Sequence, residues 1–240
     1  MLVLAATPAS AQSMAQTGAS VEATTDYRRH GLSWSDSDPA LRADATLALN
    51  YDLSLSASAS TLRGSRRHGG SEVGFTIGPR YSTSAAGFDL SAGITGNLFA
   101  GTDEGARGMD YVELDGRAAR TLGPVQLALS ISYAPSQDAI GGSYGHAGGD
   151  LSLGLPGSPL TAYVGGGYSF GDSNGDPRSA RLRPDGNYGD WYVGLEQSYG
   201  PLSVGMLYTD TSIDRSRAAA VEYGDRGTGE RLSAYARISI

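Results

Sequence analysis

The chain has 240 residues, enough for one large β domain or two small ones, and it is rich in glycine (35 residues) and tyrosine (14 residues). It contains no cysteine, which excludes disulfides, thiol catalysis and a zinc ribbon. The net charge is −7 and all 18 basic residues are arginine, so the chain lacks the basic excess that binding to nucleic acid phosphates requires.

The N-terminus has the pattern that ends a secretory signal peptide. An apolar stretch leads to the small-residue site Ala9-Ser10-Ala11 before Gln12, although no positive charge precedes it. We interpret residues 1–11 as a truncated signal and residues 12–20 as a flexible polar segment. No apolar run in the sequence reaches the roughly 18 residues that a membrane-spanning helix needs. An exported protein without a helical anchor can reside in the periplasm, the extracellular space or an outer membrane.

Alternation of apolar and polar residues predicts about twelve β-strands between residues 21 and 240. The expected strands are Val21–Ser33, Ala40–Asn50, Leu53–Leu62, Glu72–Ser82, Phe88–Phe99, Met109–Arg120, Val125–Ala134, Ala147–Leu155, Pro159–Phe170, Gly189–Tyr199, Leu202–Thr211 and Arg231–Ile240. An even number of strands of about ten residues is typical of bacterial outer-membrane barrels.

The predicted connections alternate in length. Short turns such as Gly157–Ser158 and Gly200–Pro201 alternate with long polar segments such as Gly171–Tyr188 and Ser212–Glu230. Outer-membrane barrels have short periplasmic turns and long external loops, whereas a soluble Greek-key sandwich has no reason to alternate. The sequence therefore predicts an all-β, transmembrane antiparallel up-and-down β-barrel over residues 21–240. It would lie in the cell outer membrane with both termini periplasmic; the alternative class is a soluble secreted β protein.

Charged residues in the predicted strands fall on the parity opposite to the apolar residues. Glu113, Asp115 and Arg117 alternate with Val112 and Leu114, for example. An arginine on the lipid face near the bilayer midplane costs about 2–4 kcal/mol, so we expect these charges to face the lumen. The predicted pore-lining residues are Glu22, Asp26, Arg28, Arg42, Asp44, Arg80, Glu113, Asp115, Arg117, Glu196 and Arg237.

The charged set has two interpretations. Rings of opposite charge form an electrostatic filter in a channel, but the same residues form a salt-bridged plug in a barrel that conducts nothing. We predict a porin for passive diffusion of small hydrophilic or ionic solutes. The alternative is a non-conducting structural or interaction barrel that uses its external loops. In either case the partners would be outer-membrane lipid and, during insertion, the barrel-assembly machinery.

An outer-membrane enzyme is the less favoured alternative. A hydrolase needs a serine activated by an oriented histidine, and His30, His68 and His146 show no such local pattern. We therefore expect solvated loop histidines. Residues 172–176 alternate oxygen-bearing side chains as a calcium loop does, but Pro177 stands where that loop requires glycine. The sequence thus predicts no enzymatic activity, no cofactor and no metal.

One segment carries a family resemblance. Tyr27-Arg28-Arg29-His30-Gly31-Leu32-Ser33-Trp34-Ser35, followed by Asp38-Pro39-Ala40, resembles the opening of the TorF family of outer-membrane porins. That family's first strand reads Tyr-x-x-Arg-Gly-x-Ser-x-Ser, and His30 stands where the family usually has arginine. Residues 190–194 and 208–211 are similar to the family's late strands. The resemblance implies an outer-membrane barrel with a pore, and it names no solute.

Overall fold

The computed structural model describes residues 16–106, 108–173, 175–218 and 227–240. The predicted signal, residues 1–11, and residues 12–15 of the predicted flexible segment lie outside these residues, whereas residues 18–20 of that segment belong to the first strand. The described part is almost entirely β-structure, with short 3₁₀ turns and one short helix, α1 (Arg215–Ala218). No helix in this part of the chain has the length and hydropathy needed to cross a membrane.

Twelve strands form one closed antiparallel barrel, and the first barrel strand pairs with the last. In order around the wall they are β1 (Gly18–Thr24), β4 (Ala40–Ala48), β5 (Leu53–Ser65), β6 (Ser71–Ala85), β7 (Phe88–Ala100), β8 (Tyr111–Leu122), β9 (Val125–Gln137), β10 (Gly142–Gly154), β11 (Leu160–Phe170), β12 (Tyr188–Tyr199), β13 (Leu202–Thr211) and β14 (Arg231–Ser239). Two short strands, β2 (Arg28–Arg29) and β3 (Leu32–Ser33), pair only with each other and are not part of the barrel wall. The predicted barrel of about twelve antiparallel strands is confirmed.

Side chains alternate between an apolar outer face and a polar inner face. On β9, Leu129 is 69% exposed on the outside, whereas Ala128 and Ser132 are buried toward the lumen. On β8, Glu113 is buried and its neighbour Leu114 is exposed. Successive side chains on a strand point to opposite faces, so the charged residues that alternate with apolar ones in the sequence lie inside the barrel. An apolar exterior around a polar interior is the arrangement of membrane barrels.

The wall differs from the prediction at its first strand. The expected strand Val21–Ser33 is wrong, because β1 ends at Thr24 and residues 25–39 fold inward. Several other strands are longer than predicted, with β5 reaching Ser65 and β9 reaching Gln137, whereas β4 ends two residues early, at Ala48. The longer strands pair more backbone groups and leave only residues 66–70 and 138–141 as connections where long loops were expected.

An arginine on the outer face should disrupt membrane insertion, whereas an arginine on the inner face should be tolerated. We expect Leu129→Arg to lower the free energy of unfolding in lipid vesicles by about 2–4 kcal/mol, because a charge near the bilayer midplane is poorly solvated. The matched control is Ser130→Arg, one residue along the same strand and facing the lumen. Urea titration of vesicle-inserted protein measures both, and equal losses would contradict the assigned faces.

Candidate functional site

The candidate site is a segment that fills one end of the barrel. Residues 25–39, called here the lumen hairpin, leave the wall after Thr24 and rejoin it at Ala40, two residues that pair across β1 and β4. Strands β2 and β3 form its arms, and His30 and Gly31 form its two-residue tip. Both tip residues have positive φ, 49° and 74°, as the common tight turn of a β-hairpin requires. Histidine is among the residues that tolerate this conformation.

A buried carboxylate holds the hairpin together. Asp26 accepts a hydrogen bond from Arg28 Nη1 at 3.0 Å and another from Ser33 Oγ at 2.5 Å. Its side chain has no exposed surface, so the charge-assisted bonds replace the water that it has lost. Across the hairpin, the amide of Trp34 donates to the carbonyl of Tyr27 at 2.7 Å. The segment is therefore a folded unit of its own within the lumen.

Two apolar side chains anchor the hairpin to the wall. Trp34 is 4% exposed and Leu32 is 2% exposed. Trp34 belongs to a cluster that draws on β5, β8, β9, β10 and the loops, formed with Leu62, Tyr111, Ala134, Ala139, Ile140, Tyr144 and Leu182. Leu32 belongs to a second cluster, with Tyr188, Ile213 and Ala218. Burying a side chain of leucine size contributes about 1.5–3 kcal/mol, so these two contacts dominate the docking energy.

Arginines add polar contacts to this docking. Arg29 forms an ion pair with Glu113 on β8 and donates to Asn97 Oδ1 on β7 at 3.1 Å. Arg28 Nη2 donates to the carbonyls of Gly227 and Gly229, each at 2.9 Å. The hairpin thus contacts the wall and the segment before β14 through charged groups as well as apolar ones. A charged group buried with a partner is stable, and removing the partner is costly.

The tip of the hairpin meets two strands on the far side of the lumen. The imidazole of His30 stacks on that of His146, with ring centroids 3.7 Å apart and an angle of 5° between the planes. His30 Nδ1 lies 2.6 Å from Tyr144 Oη, and Tyr188 Oη donates to the carbonyl of His30 at 3.0 Å. Burial, together with His146 and Arg29, holds the pKa of His30 well below its ordinary value. The tip is therefore neutral at pH 7.

Glycine is required at the tip for two reasons. Gly31 has a φ of +74°, and a Cβ there would lie 2.4 Å from Thr211 Cγ2 and 2.9 Å from the Cβ of Asp190. A side chain at this position would push the tip away from β12 and β13. Gly31 thus permits both the turn and the close approach of the turn to the wall.

Overlying loops cover the hairpin from the outside. Arg181 is fully buried, and its Nη1 donates to the carbonyls of Met109 at 2.7 Å and Ala139 at 2.9 Å. Its Nη2 lies 3.0 Å from Nδ1 of His68. Because arginine only donates hydrogen bonds, Nδ1 of His68 must be the acceptor. Arg181 therefore ties its own 3₁₀ turn (Pro177–Arg181) to three other connections. Burial, Arg181 and Arg67 hold the pKa of His68 well below its ordinary value.

Below the hairpin the lumen is lined by arginine–carboxylate pairs, three of which have partly accessible side chains, whereas the fourth, Arg237–Glu196, is largely buried. The pairs are Arg42–Asp44 at 2.6 Å, Arg80–Asp115 at 2.6 Å, Arg117–Asp150 at 3.1 Å, and Arg237–Glu196 with Glu22 3.9 Å away. The side chains of Arg80 and Arg117 are about a third exposed, at 32% and 31%. Water therefore reaches this part of the lumen, unlike the hairpin layer above it.

One small cavity adjoins the hairpin. A cavity of about 10 Å³ lies between Arg29, His30 and Trp34 and the wall residues Tyr111 and Tyr144. A single water needs a space of about this size, so the cavity offers no passage for a solute. The described residues include no cluster of three His, Asp or Glu side chains that could hold a metal ion.

The predicted lining residues fall into two groups. Asp26 and Arg28 belong to the lumen hairpin and are bonded to each other, and Glu113 contacts the hairpin through Arg29. The remaining eight lie on the inner face of barrel strands: Glu22, Arg42, Asp44, Arg80, Asp115, Arg117, Glu196 and Arg237. Residues 172–176 of the rejected calcium loop include Asn174, which lies outside the described residues.

The expectation of solvated loop histidines is wrong. His68 is 0% exposed, His146 is 7% exposed, and His30 is partly buried against His146. Their ring nitrogens are bonded to Arg181, Asp190 and Tyr144 respectively. The functional residues that sequence reasoning missed are His30, Arg29, His146, Asp190 and Arg181. The adjacent His30-Gly31 pair was a usable turn signal, whereas the others depend on contacts between distant segments.

Comparison with known proteins assigns the chain to a family. The sequence profile described as "Bacterial protein of unknown function (Gcw_chp)" matches residues 5–232. The chain belongs to this family. A search of curated protein sequences finds no match.

Solved structures show the same fold at low sequence identity. The NanC porin is 9% identical with a TM-score of 0.59, covering 92% of this chain and 98% of its own. The KdgM porin is 9% identical with a TM-score of 0.55, covering 93% and 99%. LpxR from Salmonella typhimurium is 11% identical with a TM-score of 0.50, covering 93% and 99%. The family member described here therefore has the barrel fold of outer-membrane porins.

Breaking the buried ion pair should cost more than breaking an accessible one on the same strand. We expect Glu113→Gln to lower the free energy of unfolding by about 1.5–3 kcal/mol, because it removes the buried carboxylate that pairs with the partly buried Arg29. Asp115→Asn, two residues along the same face, breaks the partly exposed pair with Arg80 and should cost no more than about 1 kcal/mol. Urea unfolding in detergent micelles compares the two. Equal losses would contradict the docking of Arg29 described above.

Acidification should destabilise the protein through His68. Its pKa is lowered in the folded state and about 6.5 when unfolded, so the unfolded state binds more protons below pH 6.5. Stability should be independent of this group above pH 6.5 and should fall by up to about 1.4 kcal/mol per pH unit below it. His68→Asn keeps an acceptor near Nδ1 without a titrating group. Its unfolding free energy should depend less steeply on pH, and an unchanged slope between pH 7 and 5 would refute the assignment.

Proposed function

We propose that this chain is an outer-membrane channel for small hydrophilic solutes whose outer end is closed by the lumen hairpin. The observation that carries the proposal is the contrast between two layers of one lumen. The hairpin layer is packed, with Ser35 and Leu32 almost without exposed surface, whereas the layer below it has accessible arginines and carboxylates. A purely structural barrel has no need for an accessible charged layer.

The lower layer supports weak rather than strong ion selectivity. Each of Arg42, Arg80, Arg117 and Arg237 lies next to a carboxylate, so much of the field of the cations is cancelled locally. Arg237 is flanked by two carboxylates, Glu196 and Glu22, which leaves a slight excess of negative charge. We infer small neutral or weakly cationic solutes rather than polyanions, since charged rings of one sign make the strong filters.

The membrane location and orientation are part of this proposal. The outward apolar face supports insertion in lipid, and the even strand count supports an outer membrane with the short turns and both termini in the periplasm. Two structural relatives are described as porins, and the proposal extends that description to this chain. Membership of the TorF family, which rests on residues 27–35, belongs with it.

A second candidate is a non-conducting barrel. The tight docking of the hairpin favours it, because Trp34 and Leu32 bury apolar surface that withdrawal would expose. An enzymatic function has less support, although the fold is also that of the outer-membrane enzyme LpxR. The buried Ser169 lies 3.3 Å from the hydroxyl of Tyr144, and His146 is bonded to Asp190.

Planar-bilayer recording tests the channel. We replace residues 26–38 with a Gly-Ser linker of about five residues, the length of an ordinary hairpin loop, because Thr24 and Ala40 are paired neighbours. A second variant adds Arg181→Ala, which removes the tie between the overlying loops. We expect rare or no single-channel steps for the wild-type chain and steady conductance for the variants.

The control carries the same linker inserted at Gly157, in a short turn at the other end of the barrel. It should behave as the wild type does. Heat-modifiable migration on a gel confirms that each variant has folded. Folded variants that both remain silent would refute the channel and support the non-conducting barrel, and a wild type that conducts like the variants would refute closure by the hairpin.

A further inference from the structure

We propose that the lumen hairpin is an acid-released gate, in which protonation of His30 at the hairpin tip favours its withdrawal from the barrel. The inference rests on the proposed function, because withdrawal controls permeation only if the lumen below conducts. The relevant geometry is the stack of two imidazoles at the contact between the hairpin and the wall, with centroids 3.7 Å apart.

The stack is compatible with a neutral His30 and unfavourable for a charged one. His30 Nδ1 is bonded to Tyr144 Oη at 2.6 Å, and the ring face is covered by His146. The groups that face His30 are Arg29 on the hairpin, Tyr144 and His146 on β10, Tyr188 and Asp190 on β12 and, through Arg29, Tyr111 and Glu113 on β8. A second positive charge beside Arg29 would be repelled by the first.

The carboxylates near the tip already have partners. Asp190 is bonded to His146 at 2.9 Å, and Glu113 is paired with Arg29. Neither is available to balance a proton on His30 without losing its present contact. Protonation therefore converts a satisfied contact into an unbalanced charge in a buried place, and withdrawal to water relieves it.

The hairpin can withdraw without opening the wall. Its ends, Thr24 and Ala40, are paired in the barrel, and its internal bonds from Arg28 and Ser33 to Asp26 would travel with it. The contacts to be broken are those of Leu32, Trp34, Arg29 and the tip, together with the bonds that Arg28 and Ser33 donate to the segment before β14. Withdrawal of Trp34 also uncovers His68, whose ring centroid lies 4.4 Å away.

The direction of the pH effect follows from proton binding. Docking lowers the pKa of His30 through burial, His146 and Arg29, whereas in a withdrawn hairpin its pKa returns to about 6.5. The withdrawn state therefore binds more protons below pH 6.5. The ratio of withdrawn to docked hairpin should rise by up to about tenfold per pH unit for one histidine, and by more if His68 also takes up a proton.

Cysteine labelling measures withdrawal directly. The chain has no cysteine, so Leu32→Cys supplies a single thiol at a site that is 2% exposed when the hairpin is docked. Labelling with a water-soluble maleimide is divided at each pH by the rate of Ser158→Cys, an exposed turn position. This ratio should rise about 15-fold between pH 6.5 and 5.0, because half of the withdrawn histidines are already protonated at the start of this interval.

The same measurement with His30→Asn identifies the proton acceptor. Asparagine tolerates the positive φ of this position and offers a polar group near Tyr144, but it does not titrate. The acid response should fall by about tenfold per pH unit relative to the His30 chain. An unchanged labelling ratio in acid, or a full response in His30→Asn, would overturn the proposal.

Conductance recorded on the same proteins separates the two proposals. Acid-dependent labelling without channel steps would support the withdrawal of the hairpin in acid but refute the channel, and with it the role of the hairpin as a gate. Flat labelling together with a conducting linker variant would refute the gate and leave the channel standing.

Discussion

The arrangement of this barrel depends on the burial of Trp34 and Leu32 inside a lumen that is otherwise polar. These two side chains give residues 25–39 a reason to fold inward rather than project outward as an external loop. They can do so because the wall places apolar clusters at one end of the barrel, one around Tyr111 and Ile140 and another around Tyr188 and Ile213. The hydrophobic effect acts here on the inside of the barrel, next to a lumen that water reaches.

Once the apolar anchors are seated, the polar groups nearby must be satisfied without bulk water. Arg29 is brought against Glu113, and the tip histidine is brought against His146 and Tyr144. In the overlying loops, Arg181 satisfies buried polar groups by donating to two carbonyls and a histidine nitrogen. Further down, the pairs Arg80–Asp115 and Arg117–Asp150 lie along the wall outside the two apolar clusters and remain partly accessible. The position of the apolar anchors thus accounts for both the packed end and the accessible part of the lumen.

The barrel itself could be predicted because its pattern is local. Alternation along β8 and β9 places Glu113 and Asp115 opposite Leu114, and this parity survives in the structure. The hairpin could not be predicted in the same way, because the residues after Val21 continue to look like a strand. Their burial depends on Glu113, His146 and Asp190, which lie far along the chain and exert no influence on local periodicity. The histidines were misread for the same reason, since the partners that bury His68 are Arg181 and Trp34.

The central claim is that the lumen hairpin is docked inside the barrel in the membrane-inserted protein at neutral pH. Amide hydrogen exchange of the vesicle-inserted chain tests it most directly. The amide of Ser33 donates to Gly227 at 2.9 Å and that of Trp34 to Tyr27 at 2.7 Å, both in buried surroundings. We expect these two amides to exchange at pH 7 nearly as slowly as those at the centre of β8. Exchange as fast as that of an exposed loop would contradict it.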